Sequence, residues 1–330
     1  MALILKPLEQ GKLNLSNRLV LPPMATSKSD ENGQISQEIL DYYDEKSRGG
    51  YIGLIIIEHS FITQQGKASD GQLSVASDST VEGLRKLADV IHQNGSKTVM
   101  QINHAGSAAR MEVTGLEPVG PSAIENPRLK SIPKELSKEE IHQIVHEFKE
   151  AALRVKKAGF DGVEIHSAHG YLLNQFFSPL GNKRTDEYGG DVNGRIKIHL
   201  EVIKAVRQAV GEDFPILLRL GASDYTQGGT TIEDSIIAAV ELEKAGVDML
   251  DISGGFCGYL ADEVDQQGYF SVLTQPLMEV VSIPVILTGG ITDISAAEEL
   301  LVQKKADLIG VGRAIYKDSS WAKKAMSDIS

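Results

Sequence analysis
One nine-residue phrase occurs twice in the chain and returns a third time in shortened form. Lys157-Ala158-Gly159-Phe160-Asp161-Gly162-Val163-Glu164-Ile165 is echoed by Lys244-Ala245-Gly246-Val247-Asp248-Met249-Leu250-Asp251-Ile252. Lys305-Ala306-Asp307-Leu308-Ile309-Gly310-Val311 is the weaker copy. The two full copies read as the end of a helix, a glycine stop, an aspartate and a buried strand. A chain that repeats a helix-to-strand unit builds a parallel sheet, because parallel neighbours need a crossover between them.

Short apolar runs mark the strands at Leu19–Pro22, Gly53–Ile57, Thr98–Ile102, Gly162–Ile165, Ile216–Leu220, Met249–Ile252, Val285–Leu287 and Leu308–Val311. They are almost continuously apolar, as strands covered on both faces must be. Helical segments lie between them. Ser79 with Glu82 predicts a capping box, with Asn94-Gly95 as the stop. Ser137 with Glu140 predicts a second, ended by Gly159, and Thr231 with Asp234 starts a helix that Gly246 ends. About eight strand-helix units account for the 330 residues, which predicts an α/β fold, a (β/α)8 TIM barrel in one domain over 1–330. An open doubly wound sheet is the alternative. It is disfavoured because no strand is followed by a full G-x-G-x-x-G: the nearest candidate, Gly310-Val311-Gly312, has Ile315 in the last position. A proline-bearing excursion from Ala105 to Leu136 follows the third strand, and in a barrel it is expected over the catalytic face.

A net charge of −12 argues against a nucleic-acid partner, whose phosphates need a basic face. The single cysteine, Cys257, fits a reducing compartment, and no apolar run reaches membrane-spanning length. With no signal architecture in Met1–Gln10, the expectation is a cytoplasmic protein with no membrane partner.

In a barrel the site collects where strands end. The fourth strand delivers His166, His169 and Tyr171 within six residues, ahead of a polar loop from Ser178 to Gly190. Two readings of this group stand side by side. The histidines could be metal ligands, which would make the chain a metal-dependent hydrolase, although a zinc site wants a third protein ligand. Alternatively, two imidazoles grip one substrate oxygen and the tyrosine is the proton donor. Arg219 lies in an apolar strand and needs an acceptor, with Asp224 as the candidate partner. The glycines of Thr288-Gly289-Gly290 and Gly310-Val311-Gly312-Arg313 let backbone amides approach a phosphate, and Arg313 adds a bidentate donor.

These residues, taken together, resemble the Old Yellow Enzyme family of FMN-dependent ene-reductases, in its short single-domain bacterial form. The resemblance is carried by Asn17-Arg18 with Pro23-Met24, by Gln101 with His104-Ala105-Gly106, and by Glu164-Ile165-His166-x-Ala168-His169-Gly170-Tyr171-Leu172. It continues through Phe177-Ser178-Pro179-Leu180, Arg184-Thr185-Asp186-x-Tyr188-Gly189-Gly190, Asn193, Arg195, Arg219, Gly289-Gly290 and Gly312-Arg313. It implies noncovalent FMN, with NADPH or NADH as reductant and a small electrophilic alkene as substrate. Pro23, Met24 and Ala25 would line the isoalloxazine, Gln101 its pyrimidine edge, and Arg219 its N1 and O2 side. Gly289, Gly290, Gly312 and Arg313 would hold the phosphate, His166 and His169 the substrate oxygen, and Tyr171 would supply the proton.

The chain departs from the family at three positions. Ala25 replaces a Thr or Cys donor to flavin O4, Ser27 takes the place of a substrate-facing tyrosine, and His59 replaces a small residue, so that only its backbone is expected at the flavin. Ala25 also keeps open a flavin reductase acting mainly on oxygen or quinones. The chain ends at Ser330, before the tail through which relatives give an arginine to a neighbouring subunit, and a homo-oligomer is compatible with the rest. One cysteine cannot ligate the iron–sulfur cluster of longer relatives.

Overall fold
Eight parallel strands close into a barrel. In chain order they are β1 (Leu19–Leu21), β2 (Leu54–Phe61), β3 (Lys97–Asn103), β4 (Gly162–Ser167), β5 (Ile216–Gly221), β6 (Met249–Ser253), β7 (Val285–Thr288) and β8 (Leu308–Gly310). Each pairs with its neighbour in sequence, and β1 closes on β8 through Leu19↔Ile309 and Val20↔Gly310. The computed structural model describes residues 2–127, 129–260 and 266–329. Among them no helix is long and apolar enough to cross a membrane.

The repeated phrase has a physical cause at the amino ends of the strands. Asp161 accepts a hydrogen bond from the backbone N–H of Thr98 at 2.9 Å, Asp248 from Ile216 at 2.9 Å, and Asp307 from Val285 at 2.9 Å. Each aspartate stands just before one strand and holds the start of the strand preceding it. The backbone N–H of each also donates to the carbonyl of the residue that it holds. The same clamp therefore joins β3 to β4, β5 to β6 and β7 to β8. The glycine before it ends the helix: Gly246 is the left-handed cap of Ile232–Ala245, and Gly159, at φ 90°, follows Lys138–Lys157.

Two expected helix starts hold in detail. Ser137 and Glu140 form a reciprocal capping box, and Thr231 accepts from the N–H of Asp234. The third does not. Asp78–Thr80 is a turn of 3-10 helix, the α-helix begins at Val81, and the Ser79 hydroxyl bonds to the Ser77 hydroxyl instead of capping. The second strand is longer than expected, because β2 runs on past Ile57 through Glu58, His59 and Ser60 after a register shift against β3.

Two layers of core hold the barrel. The larger lies between strands and helices. The smaller seals the amino end, where Leu8 and Leu15 form an antiparallel bridge and pack with Leu13 onto Val20, Ile56, Leu217, Ile286 and Leu308. The 105–136 excursion carries a small parallel pairing of Val119–Gly120 with Lys134–Glu135, tied down by Arg184, which donates to the carbonyls of Pro121 and Leu136.

Candidate active site
The carboxyl ends of the strands enclose a cavity of about 370 Å³ to which all eight strands or the loops after them contribute. Of the residues singled out in the sequence, Pro23, Met24, Ala25, Gln101, His166, His169, Tyr171, Arg219, Gly289, Gly290, Gly312 and Arg313 line it. Ser27 does not. It sits at φ 56°, packed against Gly71, where a Cβ would meet the Ser27 backbone. The loop after β1 is held by Glu58, whose carboxylate accepts from the Thr26 N–H at 2.9 Å and the Thr26 hydroxyl at 2.6 Å.

Beyond β4 the chain makes a tight reversal. His169 (φ 60°) and Gly170 (φ 71°) are both left-handed, and Asn174 accepts the Gly170 N–H at 2.8 Å. The turn brings three rings together: His166 lies 5.1 Å from His169 and 5.1 Å from Tyr171, centroid to centroid. Burial, then the neighbouring His169 and Arg219, hold the His166 imidazole well below its ordinary pKa, so it is neutral. Its Nδ1 accepts the Ala168 N–H at 3.3 Å, which leaves the ring proton on Nε2 as a donor. His169 Nε2 is 2.7 Å from the Ser253 hydroxyl.

Below the rings lies a buried charge group. Gln101 donates to Glu164 at 2.7 Å, and Arg219 pairs with Asp251 across adjacent strands at 3.2 Å. The expected partner of Arg219, Asp224, is engaged elsewhere: it accepts from the N–H groups of Thr230 and Phe256 at 2.7 Å each, and from the Ser178 hydroxyl. Asp251 wins because strand register sets it directly opposite Arg219. Burial pushes Asp251 up to about 6, opposed by Arg219, and raises Glu164 well above the carboxylate range, with Asp251 adding to the shift.

These residues fit an FMN. The Gln101 amide and the Arg219 guanidinium face the cavity on the strand side, and glycines with Arg313 stand at the ends of β7 and β8. A Cβ at Gly290 would come 2.7 Å from the Tyr269 ring, and one at Gly312 2.8 Å from the Met24 sulfur, so larger residues are shut out of this cradle.

The sequence reading missed part of the wall. His59 was expected to offer backbone only, but its ring lines the cavity, stacked 5.3 Å from Tyr171. Ser253, Tyr259, Tyr269, Phe270 and Thr288 also line it. Ser253 and Thr288 are the last residues of their strands, where the sequence places the site. Tyr269 and Phe270 carry no local signal, because they reach the site from a segment between strands.

The sequence model of the NADH:flavin oxidoreductase / NADH oxidase family matches residues 3–330. The chain is 41% identical to a NADH oxidase of Thermoanaerobacter brockii over 321 residues, covering 96% of this chain and 49% of that protein. It is 38% identical to a NADPH dehydrogenase of Bacillus subtilis, covering 98% of this chain and 94% of that one. The chain thus spans about half the length of the first curated relatives it matches, and nearly all of others. Among solved structures, a 2-naphthoyl-CoA reductase complex superposes with a TM-score of 0.93 at 27% identity, over 99% of this chain and 52% of that one. The old yellow enzyme homologue from Zymomonas mobilis gives 0.86 at 26% identity, over 99% and 93%. On this match along its whole length, the chain belongs to the NADH:flavin oxidoreductase / NADH oxidase family.

Proposed function
We propose that the chain is an FMN-dependent NAD(P)H oxidoreductase that reduces the activated C=C bond of α,β-unsaturated carbonyl or nitro compounds. The observation that carries this reading is the ring group of His166, His169 and Tyr171 in one cavity with Gln101 and Arg219. FMN, when bound, supplies the hydride drawn from NADH or NADPH. Gln101 and Arg219 would hold it from the strand side, Pro23, Met24 and Ala25 would border it, and Gly289, Gly290, Gly312 and Arg313 would take its phosphate.

The substrate's oxygen is gripped by the Nε2–H of His166 together with His169. The His166 donor is set before the reaction begins, because the Ala168 N–H fixes its tautomer, and hydrogen bonds to that oxygen strengthen as negative charge grows on it. A neutral imidazole is suited to this, because it polarises the oxygen without surrendering a proton to it. Tyr171, 5.1 Å from His166 ring to ring, would then donate its hydroxyl proton to the substrate. The relatives named NADH oxidase and NADPH dehydrogenase support the use of a nicotinamide reductant. The 105–136 excursion, which walls a second cavity with Gln175 and Phe256, is read as cover for the catalytic face.

The test is to load the purified protein with FMN and compare rates with cyclohexenone, a maleimide, a quinone and oxygen under NADH and NADPH. The expected result is a yellow protein that reduces the two alkenes. A protein that binds no FMN overturns the reading, and turnover of oxygen or quinone alone replaces it with an oxidase or a quinone reductase.

A further inference from the structure
The cavity holds a third imidazole that the mechanism above does not use. His59 lines the cavity next to Tyr171, with ring planes 27° apart, and its centroid is 6.2 Å from that of His166. Its protonation is fixed by a short chain of hydrogen bonds. The Ala68 N–H donates to Gln72 Oε1 at 2.7 Å, which orients the amide and turns its NH2 toward His59. That NH2 stands 2.9 Å from His59 Nδ1 and also donates to the His59 carbonyl at 3.1 Å. Asn103 Nδ2 approaches the same Nδ1 at 3.4 Å. Two amide donors facing Nδ1 make it the acceptor, so the ring carries its proton on Nε2. Burial and the charge of Arg219 push the ring down to about 4, so it is neutral over the physiological range.

No hydrogen bond among the described residues satisfies Nε2, and it is not one of the sealed, unpartnered atoms of the interior. His166 is built the same way, with Nδ1 held by a backbone N–H and Nε2–H left for the cavity. The wall therefore presents a row of imidazoles. His169 and His166 are close enough to share one oxygen, and His59 lies beyond them, on the side of Tyr171.

We propose that His59 is a specificity-determining residue, whose Nε2–H binds a second acceptor oxygen, so that the site favours alkenes flanked by two such oxygens, as in cyclic imides and unsaturated dicarbonyls. The proposal rests on the function proposed above. A neutral donor suits a carbonyl oxygen, and an N–H that a one-oxygen substrate covers without pairing penalises that substrate.

The test compares N-methylmaleimide, with two carbonyls across its double bond, and cyclohexenone, with one. His59→Phe keeps a ring against Tyr171 and removes the N–H. The ratio of kcat/KM for the imide over the enone is expected to fall about tenfold in this variant, the loss of one hydrogen bond. His59→Gln, which offers an amide N–H, is expected to restore part of it. Titration of the FMN-loaded protein with the saturated ligands succinimide and cyclohexanone is expected to show weaker binding of succinimide relative to cyclohexanone in His59→Phe. An unchanged ratio, or an equal loss for both substrates as a packing or flavin-facing role would give, overturns the proposal. If the wild type reduces neither alkene, the proposed function fails, while the binding titrations still decide the role of His59.

Discussion
Single atoms decide what the side chains of the cavity can do. The Ala168 N–H fixes which nitrogen of His166 carries the proton, and the Asn174 side chain holds the turn that places Tyr171 against that ring. If Tyr171 is the proton donor, Tyr171→Phe removes an O–H and little else. Cyclohexenone reduction should fall on the order of a hundredfold, about 3 kcal/mol in the barrier, while NADPH consumption with oxygen as acceptor stays near wild type. Steady-state rates with the two acceptors check this, and enone reduction at the wild-type rate would refute the assignment. At this scale the sequence was informative where the residue types were unusual. His166, His169, Tyr171 and Arg219 announced themselves as groups that need partners. His59 was legible as a residue but not as a side chain, because the register shift that aims its ring depends on how β2 pairs with β3. Asp251, the partner of Arg219, is set by register between strands rather than by nearness in sequence.

Elements are joined by the aspartate clamps. The recurring Lys-Ala-Gly phrase marked the strands, but the reason for its aspartate lies in the neighbouring strand. Asp248 takes the Ile216 N–H, Lys12 at 2.9 Å and Arg207 at 2.5 Å. Arg207 is nearly buried, so Asp248→Ala leaves its charge with backbone carbonyls as the only partners and strands a strand N–H. The expected loss of unfolding free energy is about 3 kcal/mol, read as a lower urea midpoint. Asp161, whose partners His92 and Lys97 are half-exposed, should cost less when removed in the same way. Helix starts were legible where one capping residue faces one turn, as at Ser137. At Ser79 the competing hydroxyl of Ser77 and a 3-10 turn moved the start, which spacing alone does not encode.

For the molecule as a whole, barrel closure was legible because continuous apolar strands and repeated units leave few other solutions. What spacing does not reveal is how many polar groups the barrel buries. His104 is an example: burial pushes its imidazole from 6.5 down to about 4. Between those values the unfolded chain takes up a proton that the folded one refuses, so this contribution is present above 6.5 and is lost as the pH falls. The destabilisation caused by His104→Asn should therefore shrink by about 2 kcal/mol between pH 7 and pH 5, measured as the difference in urea unfolding from wild type. The leucine bridge at the amino end has a different kind of consequence. Leu8, Leu13 and Leu15 stopper one end of the barrel, which makes the interior a cul-de-sac. Whatever enters the cavity must leave by the end at which it came in.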